Sequence, residues 1–90
     1  MSRRDQPVGS LQNIGPTIAR RLRSVGIRTR GDLERLGPAP VFRRVRDENP
    51  GKTIPVCYYL YSLEGALRDV HWDSLGERTK ARLRREAGVD

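Results

Sequence analysis

The stretch from Asn13 to Arg30 holds the residue types and spacing of an anion site. Gly15-Pro16-Thr17 reads as a helix start, because proline at the first helical position has its φ preset and lacks only an N–H that would be unpaired anyway. A helix start leaves backbone N–H groups free and carries partial positive charge. Glycine lets an anion come close to that backbone. Arg20 and Arg21 lie within the same helix, and Arg28 and Arg30 lie just beyond it. A guanidinium fork fits a phosphate in two-point fashion, which lysine cannot do. The chemistry on offer is binding rather than bond making.

The ingredients of catalysis are missing from the sequence. It has one histidine, His71, and one cysteine, Cys57. No nucleophile is paired with a base, and no nucleotide-type glycine loop occurs. Asp47 and Glu48 are adjacent acids at a helix end and read as solvated charges. One His and one Cys do not give metal-ligand spacing, so neither metal nor cofactor is expected. Cys57 reads as a small buried apolar residue and His71 as a packing or surface residue. A lone cysteine excludes an intrachain disulfide.

Charge is the most informative bulk property. The 90 residues carry a net charge of +7. Residues 1–30 hold seven arginines against Asp5, a local excess of +6, whereas residues 61–90 balance. A positive field concentrated in one third of the chain favours a polyanion: nucleic acid, an anionic membrane surface or an acidic protein. The same charges also fit an ordinary solvated surface. At 36% hydrophobic and 32% charged residues, the composition is that of a single globular domain. The uncharged stretch Thr53 to Leu63 is far short of the roughly 20 apolar residues that span a bilayer. Arg3 and Arg4 have no apolar run behind them, so the N-terminus is not a signal peptide. These features lead to an expectation of a soluble cytoplasmic protein, with residues 1–9 a mobile arm and residues 10–90 the domain.

The elements that must position the arginines are helices. No stretch alternates long enough for a sheet, and the punctuation marks about five short helices. A brief one is expected around Ser10 to Asn13. From Pro16, Ile18, Ala19, Leu22 and Val25 share one face, and Gly26 stops the helix. Thr29-Arg30-Gly31-Asp32 has capping-box spacing and opens a helix carrying Leu33 and Leu36. Gly37-Pro38 is expected to end it, and Pro40 to Glu48 to form the next. Thr53 to Arg68 reads as the longest helix, capped by Thr53, with Val56, Leu60, Leu63 and Leu67 in one stripe. Its tyrosines read as core packing rather than a base-stacking platform. Trp72 folds back as a plug. Ser74 to Glu77 has capping-box spacing and opens a last helix, which runs to Ala87 and ends at Gly88.

Leu11 to Thr29 resembles the second half of a helix-hairpin-helix motif. Gly15 and Pro16 match its hairpin, and Ala19, Leu22, Gly26 and Ile27 match the helix and turn beyond the hairpin. In that family the N–H groups of the second helix point at a DNA phosphate. The stronger form of the motif has Gly-Ile-Gly where this chain has Asn13-Ile14-Gly15, and asparagine tolerates the left-handed conformation. A wider resemblance runs from about residue 10 to 85. Leu11 to Pro16, Leu22 to Thr29, Leu33 to Gly37, Tyr61 to Ala66 and His71 to Leu75 together look like the C-terminal domain of the TfoX/Sxy regulators of natural competence. That resemblance implies an all-α fold of five short helices, a helix-hairpin-helix or SAM-like bundle, with no cofactor and no catalytic residues. Full-length members carry a further N-terminal domain, so this chain is expected to be a stand-alone version.

Two functions fit. The first is sequence-nonspecific DNA binding, linked to transcriptional or competence regulation. Asn13, Gly15, Pro16, Thr17, Arg20, Arg21, Arg28 and Arg30 would lie along the phosphates. The second is an adaptor that binds a protein partner and no nucleic acid, with the hairpin purely structural. No membrane partner and no enzymatic activity are expected.

Overall fold

A computed structural model describes residues 2–55 and 57–89, with the side chain of Cys57 outside that set. Five helices carry the fold: α1 (Pro16–Ser24), α2 (Arg30–Leu36), α3 (Pro38–Asp47), α4 (Ser62–Arg68) and α5 (Glu77–Ala87). Among the described residues there is no strand beyond one isolated bridge between Pro7 and Thr29.

Local signals account for most boundaries. Pro16 occupies the first position of α1 and Gly15 precedes it in extended conformation. Ile18, Ala19 and Leu22 are buried on the expected face. Gly26, at φ +86°, reverses the chain. Its N–H donates to Arg23 O (3.1 Å) and that of Ile27 to Leu22 O (2.9 Å), so the orphan carbonyls of α1 are filled in the Schellman manner. The capping box of α2 is present: Asp32 N donates to Thr29 Oγ1 (3.3 Å) and Thr29 N to Asp32 Oδ2 (3.2 Å). Gly88, at φ +73°, ends α5 where expected.

Four boundaries differ from the sequence reading. The brief helix around Ser10 to Asn13 is replaced by a 3-10 turn, Val8–Ser10, and then a turn with Asn13 at φ +72°. The helix expected from Pro40 begins at Pro38. Gly37, at φ +87°, both ends α2 and admits α3, and Pro38 takes the first helical position that suits proline. The helix expected from Thr53 begins later. Proline disfavours helical backbone in the residue before it, so Pro55 keeps Ile54 out of the helix, and among the described residues the Thr53 side chain makes no capping bond. The chain enters through a π-type turn, Cys57–Tyr61, and continues as α4. Ser74 does not cap α5; Gly76, at φ +59°, holds the N-cap position without a side-chain bond. The expected positions of Val56 in the stripe and of Cys57 in the core lie outside the described residues.

α4 is the centre of the domain. Ser62, Leu63, Glu64, Gly65 and Ala66 are all buried. Tyr59 and Tyr61 join the core beside them, as the packing reading expected, while Tyr58 stays 52% exposed. Trp72 is half buried and stacks on Tyr61, with ring centroids 6.4 Å apart. Residues 2–9, expected as a mobile arm, pack against α2 and the segment before it. Val8 is fully buried, its N–H donates to Arg28 O (3.0 Å), and Arg30 N donates to Gln6 O (2.8 Å).

The tightest point lies at the end of α4. A methyl group on Gly65 would stand 2.6 Å from Asn13 Nδ2 and 2.7 Å from Val70 O. Gly65→Ala is therefore expected to destabilise the fold by about 2–3 kcal/mol, through overpacking and displacement of Asn13. Urea unfolding monitored by circular dichroism measures this, and an unchanged midpoint would contradict it.

Candidate nucleic-acid interface

The residues expected to line phosphates separate into two groups. Gly15, Pro16 and Thr17 sit at the start of α1, where Pro16 and Thr17 are exposed. No side chain caps this helix; Pro16 has no N–H and Ala19 N donates to Gly15 O (2.9 Å), which leaves the N–H groups of Thr17 and Ile18 without a side-chain acceptor. Arg20 lies one turn further on and is exposed. Arg28 is exposed beyond the helix, its backbone N–H spent on Asp32 Oδ2 (3.0 Å). Neither guanidinium is held in an ion pair among the described residues. Arg23 shares this state, three residues after Arg20 on the same helix. The i,i+3 spacing in the sequence was the signal for it.

Asn13 and Arg30 belong to the second group and face inward. Asn13 Nδ2 donates to Val70 O (2.9 Å) and Ser62 O (3.4 Å), and Asn13 Oδ1 accepts from Trp72 N (3.3 Å). Its side chain thus lies against α4 and the connector after it. Arg30 is 5% exposed. Its Nη1 donates to Ala66 O (3.0 Å), its Nη2 donates to Leu67 O, and its Nε donates to Glu34 Oε1 (3.0 Å). These are the carbonyls that a helix C-terminus leaves unpaired, and a buried cation there is favoured by the helix dipole. Arg21 is intermediate. It is half buried, donates to Tyr59 Oη (2.7 Å) and lies over the Tyr59 ring at 5.9 Å.

Two carboxyl groups near these arginines are held ionised. The backbone N–H of Arg28 bonds the Asp32 carboxylate, and with the Thr29 bonds and nearby Arg35 it holds this group below the usual carboxylate range. Asp69 is lowered by the Arg3 guanidinium bonded to it, with Arg30 adding to the effect. His71 is exposed, and its Nδ1 accepts from Asp73 N (3.2 Å). Among the described residues no three His, Cys, Asp or Glu side chains come together as metal ligands, and no helix is long and apolar enough to cross a membrane.

A depressed carboxyl stabilises the fold above its unfolded pKa, near 4, and loses that contribution as pH falls through its lower folded value. Asp32→Asn keeps an acceptor at the cap but removes the charge. It is expected to lower stability at neutral pH by about 0.5 kcal/mol. It should also flatten the decline in unfolding midpoint below about pH 4. A series of denaturation curves from neutral to acid pH checks both, and a parallel acid decline in the variant would contradict the assignment.

The model of the TfoX C-terminal domain family matches residues 4–87. A crystal structure of an uncharacterized protein from Listeria monocytogenes, in a triclinic form, is similar at 29% identity with a TM-score of 0.76, covering 87% of this chain and 85% of that one. No curated protein matches the chain. The family match spans the arm turns, the α1 start and all five helices, and the chain belongs to the TfoX C-terminal domain family.

Proposed function

We propose that this domain is a non-catalytic, cytoplasmic module that binds DNA through its phosphates without reading sequence, in the service of transcriptional or competence regulation. The observation that carries the reading is the start of α1. An uncapped helix start with Pro16 and Thr17 exposed stands with Arg20 and Arg23 on the same helix and Arg28 beyond it, and among the described residues these three guanidiniums have no ion-pair partner. Unpaired arginines keep their full charge for a polyanion, and helix N–H groups add directional donors. The contact set is Gly15, Pro16, Thr17, Arg20, Arg23 and Arg28. Arg21 contributes charge from a fixed position, and Asn13 and Arg30 serve the fold. Phosphate contacts of this kind position a protein without specifying bases.

A second reading, a protein adaptor, draws support from a different place. A depression of about 410 Å³ lies between the α2–α3 junction and α5, lined by Leu36, Pro38, Ala39 and Pro40 together with Arg43, Arg82 and Glu86. That lining suits an apolar side chain of a partner. Among the described residues, however, the exposed large apolar side chain is Tyr58, which falls outside this lining, and stable protein interfaces are anchored by such groups.

Fluorescence anisotropy with a short labelled duplex, taken across a salt series, tests the proposal. The logarithm of affinity should fall linearly with the logarithm of salt. The Arg20→Ala, Arg28→Ala double variant should lose about 1.8 from that slope, the value for two phosphate contacts. Absence of binding at low salt would overturn the DNA reading and favour the adaptor.

A further inference from the structure

α5 carries a second group of arginines that the hairpin does not use. Arg78, Arg82 and Arg85 recur at i, i+4 and i+7, which places them on one face of the helix over about 10 Å of rise. With Thr79 and Ala81 they line a depression of about 390 Å³. Arg82 is the anchored member. Its Nη2 reaches Glu64 Oε2 (3.3 Å) and its Nη1 reaches Glu86 Oε2 (3.5 Å). Glu64 is buried in α4 and also accepts from Arg68 Nε (2.7 Å), so one carboxylate positions two guanidiniums at the edge of α5. Arg78 and Arg85 are exposed and held in no ion pair among the described residues.

We propose that this arginine face is a second phosphate contact, separate from the start of α1, so that one domain grips nucleic-acid backbone at two places. The partner class rests on the DNA reading above; the location does not. The lining favours phosphate over protein. It offers guanidinium groups, a hydroxyl and two methyl groups, with no large apolar side chain to anchor a protein partner. Arg82 has both terminal nitrogens in carboxylate pairs and braces the face, and Arg78 and Arg85, in no ion pair among the described residues, supply the free forks and the net charge. Last-third neutrality in the sequence conceals this face, because Asp69 and Asp73 are engaged with Arg3 and Lys80, and Glu64 and Glu86 are taken up by Arg82, which leaves Arg78 and Arg85 outside the pairs.

The test compares two double variants with the full chain, using a short labelled duplex and a salt series. Arg78→Ala, Arg85→Ala removes side chains outside any ion pair among the described residues, so the fold should survive, which circular dichroism and an unchanged unfolding midpoint check. This variant should lose about 1.8 from the slope of log affinity against log salt. Arg20→Ala, Arg23→Ala reports on α1 independently. A reduced slope in the α5 variant supports the proposal, even where the α1 variant binds normally and the hairpin reading fails. An unchanged slope in the α5 variant, beside a reduced one in the α1 variant, overturns the second contact and leaves the hairpin reading standing. Capture of poly-glutamate through Arg78 and Arg85 with no duplex binding would make the occupant an acidic protein and overturn the proposal.

Discussion

The end of α4 is the point on which the structure depends. A helix leaves its last carbonyls without helical partners, and α4 runs from a buried stretch, Ser62 to Ala66, to an exposed end at Arg68. Arg30, from a distant segment, reaches two of those last carbonyls, and Asn13 ties the start of α4 to the connector after it. Arg30 covers Ala66 O and Leu67 O, and Asn13 covers Ser62 O and Val70 O while accepting from Trp72 N. Asn13 reaches that position from a left-handed backbone, which asparagine tolerates better than most residues. Gly65 is required beneath it, since any side chain would occupy the same space. The connector, the turn before α1 and the start of α2 are thereby fixed to one helix end.

This arrangement divides the basic residues by task. Arg30 is consumed by the fold, Arg21 is tied to Tyr59, and Arg3 shares Asp69 with Arg30. Among the described residues, cations outside any ion pair stand on α1 and just after it and on α5, with Arg44 on α3 and Lys52 beyond it. A positive sequence segment is thus not a positive surface of the same size. Part of the +6 excess in residues 1–30 is internal wiring, and the free remainder is presented to a partner at the surface.

Much of the fold was legible because its signals are local. Pro16, the Thr29–Asp32 box, Gly26 and Gly88 each act within a few residues, and each is found in its expected role. The apolar face of α1 comes from spacing alone. The misread boundaries also have local causes that the helical periodicity overrode: Pro55 acts on Ile54, and Gly37 frees Pro38 to begin a helix. The site was less legible. Asn13 stands in a motif where a phosphate contact is the natural reading, and its partners lie 49 and 57 residues away. Arg30 looks like its exposed neighbour Arg28, and only the packing of α2 on α4, 36 residues on, distinguishes them. A tertiary contact of that kind leaves no periodic trace in sequence.

Arg30 is where the division between fold and surface is most exposed to test, and Arg30→Met preserves bulk while removing the cation. Urea unfolding and the salt dependence of duplex binding are measured on the same samples. Loss of the Arg30 bonds to Ala66 O, which keeps Asp69 N as a partner, and to Leu67 O predicts a fall in stability of about 1–3 kcal/mol. The salt slope of the folded fraction should stay unchanged. Unaltered stability together with a salt slope reduced by about 0.9 would make Arg30 a phosphate contact and contradict the assignment of this residue to the fold.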